Sequence, residues 1–434
     1  MLEIRKAKDF LLPKLHHLLQ FLMKQGLAMV GNLLYGFLCV RMLPLPEYAK
    51  FAVLFGFMGS LTVLLDIGIS GTLAPLVGEE INNLQLIANY VASIRKIALK
   101  LYMIVAPVAI LVFFLLTQKQ GWGIWVIVQM LVVLLVTAWF ARVSSSYGAV
   151  LLLRRDRSRY YRAQMIGSLG SLALLLIFWA LHRMNIYVGI LLNVAQIIYI
   201  ATTYFRRARQ LLVIQGTPSA QQEKAIVRLA MPNFPSTIFY AIQGQITLML
   251  ITAFGHNAIS VANVGALGRI GQILMFLAQM NPILVEPYFA RLQASRLRRM
   301  YLLAVILIVT FASAICGLAF LFPELFLWVL GPKYSSLRVE VGLMVLGSAI
   351  NYVGGFIWVV NSSRRFVYWW SNLTNIILTI LVQVGLILNL DLSTVRNVLL
   401  FQIATAGVGL CINSLCGIYG FWRGPQKMER GTAG

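Results

Sequence analysis

Twelve apolar stretches, each close to the roughly 20 residues that a helix needs to cross a bilayer core, take up most of this 434-residue chain. They run at about 16–40, 51–75, 97–117, 122–146, 163–181, 186–204, 230–253, 257–287, 300–321, 340–361, 368–389 and 395–420. In hydrocarbon every backbone amide needs an internal partner, which a helix supplies to itself. The expectation is therefore an all-α integral membrane protein with 12 transmembrane helices. Only 11% of the residues are charged, against about 25% in soluble domains, so no polar portion remains to form a water-facing catalytic domain.

A net charge of +23 would suggest nucleic acid as a partner in a soluble protein. Here the cations recur in alternate connections: Arg95, Lys96 and Lys100; Arg154, Arg155, Arg157, Arg159 and Arg162; Arg206, Arg207 and Arg209; Arg296, Arg298 and Arg299; Arg364 and Arg365. That alternation marks cytoplasmic loops and places both termini inside. Membrane lipids, and no nucleic acid, are the expected contacts. Cys39, Cys316, Cys411 and Cys416 lie in apolar runs at no metal-ligand spacing, as packing residues do. The first run follows a charged start without a small-residue cleavage pattern, so it is expected to be retained as a span.

The longest polar connection, about 205–229, separates two sets of six spans. The expected organisation is an N-terminal six-helix lobe over 1–210, a cytoplasmic linker over 211–229, and a C-terminal six-helix lobe over 230–434. At an offset of 212, Pro75 falls on Pro287, Gly59 on Gly271, and Leu61 and Leu65 on Ile273 and Leu277. This pattern suggests a direct repeat, with the lobes around a central cavity.

Catalytic signals are missing from the sequence. It has no phosphate-binding Gly-x-x-x-x-Gly-Lys-Ser/Thr loop, and His16, His17, His182 and His256 stand at or near span ends without metal-ligand spacing. No enzyme, cofactor or metal is expected. A membrane glycosyltransferase or polymerase would need a large external loop, and the longest external segment here is about 322–339.

The charges inside the spans carry the functional reading. Lys24, Arg142 and Arg269 lie within apolar stretches, where a cation costs on the order of 3 kcal/mol on insertion scales and normally faces a wet cavity or a counter-ion. Lys24 and Arg142 are near enough to a span end to snorkel instead. Arg269 stands near mid-span among Gly265, Gly268 and Gly271. Asp66 reads either as an ion-coupling group or as a structural partner: a salt bridge to Lys24 or Arg269, or a cap for the small residues after it. Glu286 lies near Arg291 and suits a surface ion pair. Asn233, Gln243, Gln245, Gln272, Gln279 and Asn281 give the seventh and eighth spans a hydrophilic side, as helix glue or as a cavity wall. Pro232 and Pro235 interrupt the seventh span. A cavity with this excess of cations attracts phosphate or pyrophosphate, which arginine holds bidentately, and repels lipophilic cations.

The run VRMLPLPEYAKFAVLFGFMGSLTVLLDIGISGTLAPLVGE resembles a recurring block of the bacterial polysaccharide (O-antigen-type) flippases in the multidrug/oligosaccharidyl-lipid/polysaccharide exporter superfamily. The matching positions are Glu47, Tyr48, Asp66, Ile67, Gly68 and Pro75; Ala49 stands where glycine is commoner in that family. AFGHNAISVANVGALGRIGQILMFLAQMNPILVEPYFARL is similar to the corresponding block of the second half. The resemblance implies a bacterial inner-membrane protein that moves an undecaprenyl-pyrophosphate-linked oligosaccharide to the outer leaflet by alternating access, for surface polysaccharide or lipopolysaccharide assembly. A polysaccharide polymerase would be its partner. Within the same fold the alternatives are a cation-coupled multidrug exporter, which should carry more lumen carboxylates, and a lipid-linked peptidoglycan precursor flippase, which usually has two further C-terminal spans.

Overall fold

The computed structural model describes residues 25–423, apart from Glu79, Gln215 and His256 and the side chains of Ile283, Ala294 and Trp369. Every regular element among the described residues is helical, and the chain divides into two compact units, one ending at Gln245 and the other beginning at Ile246. The first unit contains α1 (25–42), α2 (Leu45–Asp66), α3 (Leu73–Val77), α4 (Leu84–Lys119), α5 (Ile124–Leu153), α6 (Arg157–Ala180), α7 (Ile186–Leu212), α8 (Ala220–Ala230) and α9 (Phe234–Gln243). The second contains α10 (Ile246–Phe254), α11 (Ala258–Ala278), α12 (Asn281–Arg291), α13 (Ala294–Leu321), α14 (Pro323–Leu330), α15 (Arg338–Ser363), α16 (Trp369–Asn389) and α17 (Val395–Arg423). Among the described residues ten helices are long and apolar enough to cross a membrane, or eleven if the broken run 220–254 is one span. The chain is a multi-pass membrane protein.

Inner and outer helices sort by what surrounds them. Met103 and Ile104 on α4, and Ile306 and Leu307 on α13, are each more than 60% exposed, the condition of side chains that meet lipid tails rather than protein. The central parts of α2 and α15 are mostly buried within the protein. The second half of the connection expected at 211–229 belongs to α8, which docks on α4: Ser93 Oγ donates to Gln222 Oε1 at 3.1 Å, and the ammoniums of Lys96 and Lys100 reach the Glu223 carboxylate at 2.6 and 2.9 Å.

Two stretches expected to be continuous are broken. The run 51–75 stops at Asp66, where Ile67 takes a left-handed backbone (φ 41°) and Gly68 follows at φ 76°. The Asp66 carboxylate then accepts from the Ser70 amide at 3.1 Å, starting the 3₁₀ turn Ser70–Thr72. The Asp-Ile-Gly motif is thus a helix stop followed by a side-chain cap. The run 257–287 breaks between Ala278 and Asn281, where Pro282, the second residue of α12, has no amide to give to a continuing helix.

The two units repeat one packing scheme. In the first, α5 packs against α2, α4 and α7, and α6 against α7; in the second, α15 packs against α11, α13 and α17, and α16 against α17. The correspondence reaches single hydrogen bonds. After α5, the amide of Asp156 donates to Leu151 O at 2.9 Å and that of Arg155 to Leu152 O at 3.2 Å; after α15, Phe366 donates to Asn361 O at 2.8 Å and Arg365 to Ser362 O at 3.0 Å. Both are Schellman turns, with Arg155 and Arg365 at φ 59° in the left-handed position that glycine usually holds. The preceding arginines also correspond: Arg154 Nη1 donates to Ile81 O, ahead of α4, at 2.6 Å, and Arg364 Nη2 donates to Leu292 O, ahead of α13. The direct repeat suggested by the sequence offset therefore has a counterpart in backbone geometry.

Candidate functional site

Lys24 lies outside the described residues. Arg142 and Arg269 are both buried, at 9% and 6% exposure, and different surroundings accommodate each. The Arg142 guanidinium lies over the Trp139 ring at 4.1 Å, and its Nη1 donates to the Arg95 carbonyl on α4 at 3.4 Å. Tyr102, also on α4, meets Trp139 edge-on at 5.6 Å. A desolvated cation–π contact contributes about 2 kcal/mol, comparable with the insertion cost of the charge. The α4–α5 packing thus offsets a cation in the apolar stretch with an aromatic face and a backbone oxygen.

Arg269 stands in α11 and donates from Nη1 to Gln272 Oε1 at 3.1 Å, one turn further on. The glycines around it have a packing role. A Cβ at Gly271 would fall 2.5 Å from Ser348 Oγ on α15, and one at Gly268 would contact the end of Met344. The small residues let α11 and α15 approach closely, which buries Arg269 while Gln272 stays exposed.

The remaining candidates are distributed between the units. Asn233 is exposed, and its carbonyl accepts from Ser236 Oγ at 3.0 Å. Gln243 and Gln245 are half-buried beside the end of α9, which packs on α2 through a bond from Ser60 Oγ to Ala241 O at 2.9 Å. These three amides belong to the first unit, whereas Gln272 and the exposed Gln279 lie in the second with Arg269. Asp66 is half-buried and occupied with the Ser70 amide. Glu286 is exposed, but among the described residues it forms no ion pair with Arg291.

Sequence reasoning passed over several supporting residues. Trp139 stands three residues before Arg142 on α5, a spacing the sequence already held, whereas Tyr102 and the Arg95 carbonyl become its neighbours only when α4 and α5 are packed. Glu47, matched only as part of a motif, accepts from the Ile186 amide at 3.1 Å and so caps the first turn of α7. A further group, the hydroxyls of Ser70, Ser144 and Ser145 near Arg155 and Arg157, lines a cleft in the first unit.

No protein-family model matches the chain, and no curated protein sequence does. Solved structures do match it in fold. An inward-facing multidrug resistance MATE family transporter of the MOP superfamily superposes with a TM-score of 0.69 at 15% identity, covering 91% of this chain and 94% of the other. The lipid II flippase MurJ, in an inward closed conformation, gives a TM-score of 0.68 at 11% identity, covering 92% and 87%. A MOP superfamily transporter from Pyrococcus furiosus, described as having a binding pocket of reverse polarity that suggests a different function, gives 0.55 at 16% identity, covering 92% and 93%. At these identities the fold is what is shared. The chain has the all-α, two-lobed fold of these membrane transporters.

Proposed function

We propose that this protein is a flippase of the bacterial inner membrane. It carries an undecaprenyl-pyrophosphate-linked oligosaccharide from the inner to the outer leaflet by alternating access, for surface polysaccharide assembly. The observation that carries this reading is the burial of Arg142 and Arg269 inside apolar spans of a fold whose solved examples include a lipid flippase. Buried guanidiniums suit a pyrophosphate, since their planar forks pair with its oxygens in a low-dielectric setting. Arg269, Arg142 and Lys24 are the substrate-phosphate candidates, Asn233, Gln243, Gln245, Gln272 and Gln279 the cavity wall, and Asp66 the coupling candidate. A doubly charged anion moving outward across an inside-negative membrane gains about 2.3 kcal/mol per charge per 100 mV, so the potential itself favours export. A polymerase that consumes the flipped unit is the natural partner.

The deciding experiment is deletion of the gene followed by analysis of the lipid fraction. Undecaprenyl-pyrophosphate oligosaccharide should accumulate while a surface glycan is lost, and re-expressed Arg269→Ala should reach the membrane without restoring the glycan, with Arg269→Lys partly active. Normal glycan in a strain that carries only Arg269→Ala would remove Arg269 from the mechanism. The second reading, a cation-coupled multidrug exporter, is favoured by the fold match to a multidrug transporter. It predicts an unchanged lipid pool and new sensitivity to cationic dyes. Accumulation of a peptidoglycan precursor instead would assign the cargo to the lipid-linked peptidoglycan flippases.

A further inference from the structure

Within the first unit a cleft of about 480 Å³ opens between the Ser70–Thr72 turn, α3, the last turns of α5 and the start of α6. Its polar lining is a set of hydroxyls, Ser70, Ser144 and Ser145, with Ser145 Oγ donating to Ser70 Oγ at 3.0 Å. Exposed Arg155 and Arg157 add two cations, while Leu73, Leu152 and Leu153 supply an apolar wall. Asp156, the one acid in the Arg-Arg-Asp-Arg run, is turned to α7, where its carboxylate pairs with Arg207 Nε at 2.6 Å. Among the described residues neither Arg155 nor Arg157 forms an ion pair. Asp66 likewise does not line the cleft and is held by the Ser70 amide.

The cleft has room for more than an ion. Gly71 lines it, and a Cβ built there meets nothing within 4 Å. Gly148, also in the lining, lets the Tyr160 ring lie flush against α5, since a Cβ would come within 3.1 Å of that ring. Arg155 keeps its left-handed backbone at a cost of roughly 1 kcal/mol relative to glycine, and the side chain retained at that cost stands at the cleft. Two guanidiniums, serine hydroxyls and leucines lining one open space match a phosphate group attached to an apolar chain.

We propose that this cleft binds a phosphate group, taken from the headgroup of an anionic phospholipid or from free phosphate, at a site separate from the buried arginines of the transport reading. The guanidiniums of Arg155 and Arg157 take the phosphate oxygens, the hydroxyls of Ser70 and Ser144 donate to it while Ser145 holds Ser70 in place, and the leucines receive the glycerol and first methylenes of a lipid. Most of the lining, including Ser70, Ser144, Ser145 and Gly71, precedes the basic loop, so the pocket is a shaped site rather than a basic loop alone.

The test uses the full-length protein, purified and delipidated. Native mass spectrometry follows titration with phosphatidylglycerol or phosphatidylcholine, and equilibrium dialysis follows radiolabelled inorganic phosphate. Wild type should take up one phosphatidylglycerol in preference to phosphatidylcholine, and Arg155→Gln/Arg157→Gln should weaken that uptake about tenfold or more, the equivalent of roughly 1.4 kcal/mol. Gly71→Leu, which fills the cleft without altering charge, should weaken it as well, with the melting temperature reporting that each variant is folded. Saturable binding of inorganic phosphate, lost in the same variants, would identify free phosphate as the source. Uptake unchanged in both variants, or weakened by the charge change while folded Gly71→Leu binds normally, would overturn the proposal. Arg269→Ala should leave this binding unaltered, so failure here is distinguishable from failure of the flippase reading.

Discussion

The turns that follow α5 and α15 share one backbone and are locked by opposite chemistry. In the first unit the residue after the left-handed arginine is Asp156, which reaches Arg207 on α7 as an ion pair at 2.6 Å. In the second it is Phe366, 4% exposed, which fills a notch on α17: a Cβ at Gly420 would fall 2.3 Å from its ring, and Phe421 packs beside it at 5.4 Å. The surroundings diverge in step. Two residues after Arg365 stands Val367 rather than a second cation, and 210 residues after Ser144 and Ser145 stand Gly354 and Gly355 rather than hydroxyls. A repeated scaffold thus uses one position for an aromatic packing contact and the other for a polar latch, and the hydroxyl-lined cleft opens beside the polar one.

The comparison is broken most directly by removing each latch. Phe366→Ala should lower unfolding free energy by about 3–5 kcal/mol, the range for a buried phenylalanine that leaves a cavity. Asp156→Ala should cost about 1 kcal/mol or less, since both members of its ion pair are partly exposed. Thermal unfolding in one detergent, read by intrinsic fluorescence, orders the two variants. Equal losses would mean that the two latches carry the same load and that their chemistry does not distinguish the units.

The sequence disclosed the spans because hydrocarbon imposes a length on any helix that crosses it. It did not disclose where two of them break. Apolar residues resume on the far side of Asp66–Gly68 and of residues 279–282, so each run reads as one span, and the stops come from a left-handed Ile67 in one case and from Pro282 in the other. Arg142 and Arg269 stood out as charges in apolar runs, yet the partners of Arg142 come from α4 as well as α5, and those on α4 are visible only once the two helices are packed. The cleft was hidden for another reason. Cations at 154–162 are expected in a cytoplasmic loop whatever else they do, so a ligand-binding role leaves no additional mark. The turn geometry, which sends Asp156 one way and leaves Arg155 and Arg157 at the cleft, is what separates orientation signals from a candidate site.

The first arginines of the two turns sharpen the comparison from the side of similarity. Arg154→Ala and Arg364→Ala each remove a charged donor from a loop carbonyl, a bond worth about 1.5–3 kcal/mol. The two variants should lose stability to similar extents in the same unfolding assay. A loss confined to one would show that the repeat is geometric without being energetic.

The smallest effects come from the second arginines, and there stability and binding should part company. Glycine adopts φ 59° without the Cβ clash that a left-handed arginine carries, but it also loosens the unfolded chain. Arg155→Gly and Arg365→Gly should therefore each raise unfolding free energy by about 1 kcal/mol or less, close to the resolution of a melting experiment. Arg155→Gly should weaken phosphatidylglycerol uptake, whereas Arg365→Gly should not change it, because only the first turn borders the hydroxyl-lined cleft. A variant more stable and less able to bind than wild type would mean that the strained backbone at Arg155 is retained for its ligand. If Arg155→Gly instead loses stability, the arginine side chain is making a contact that supports the turn, and the left-handed geometry is no evidence for a site.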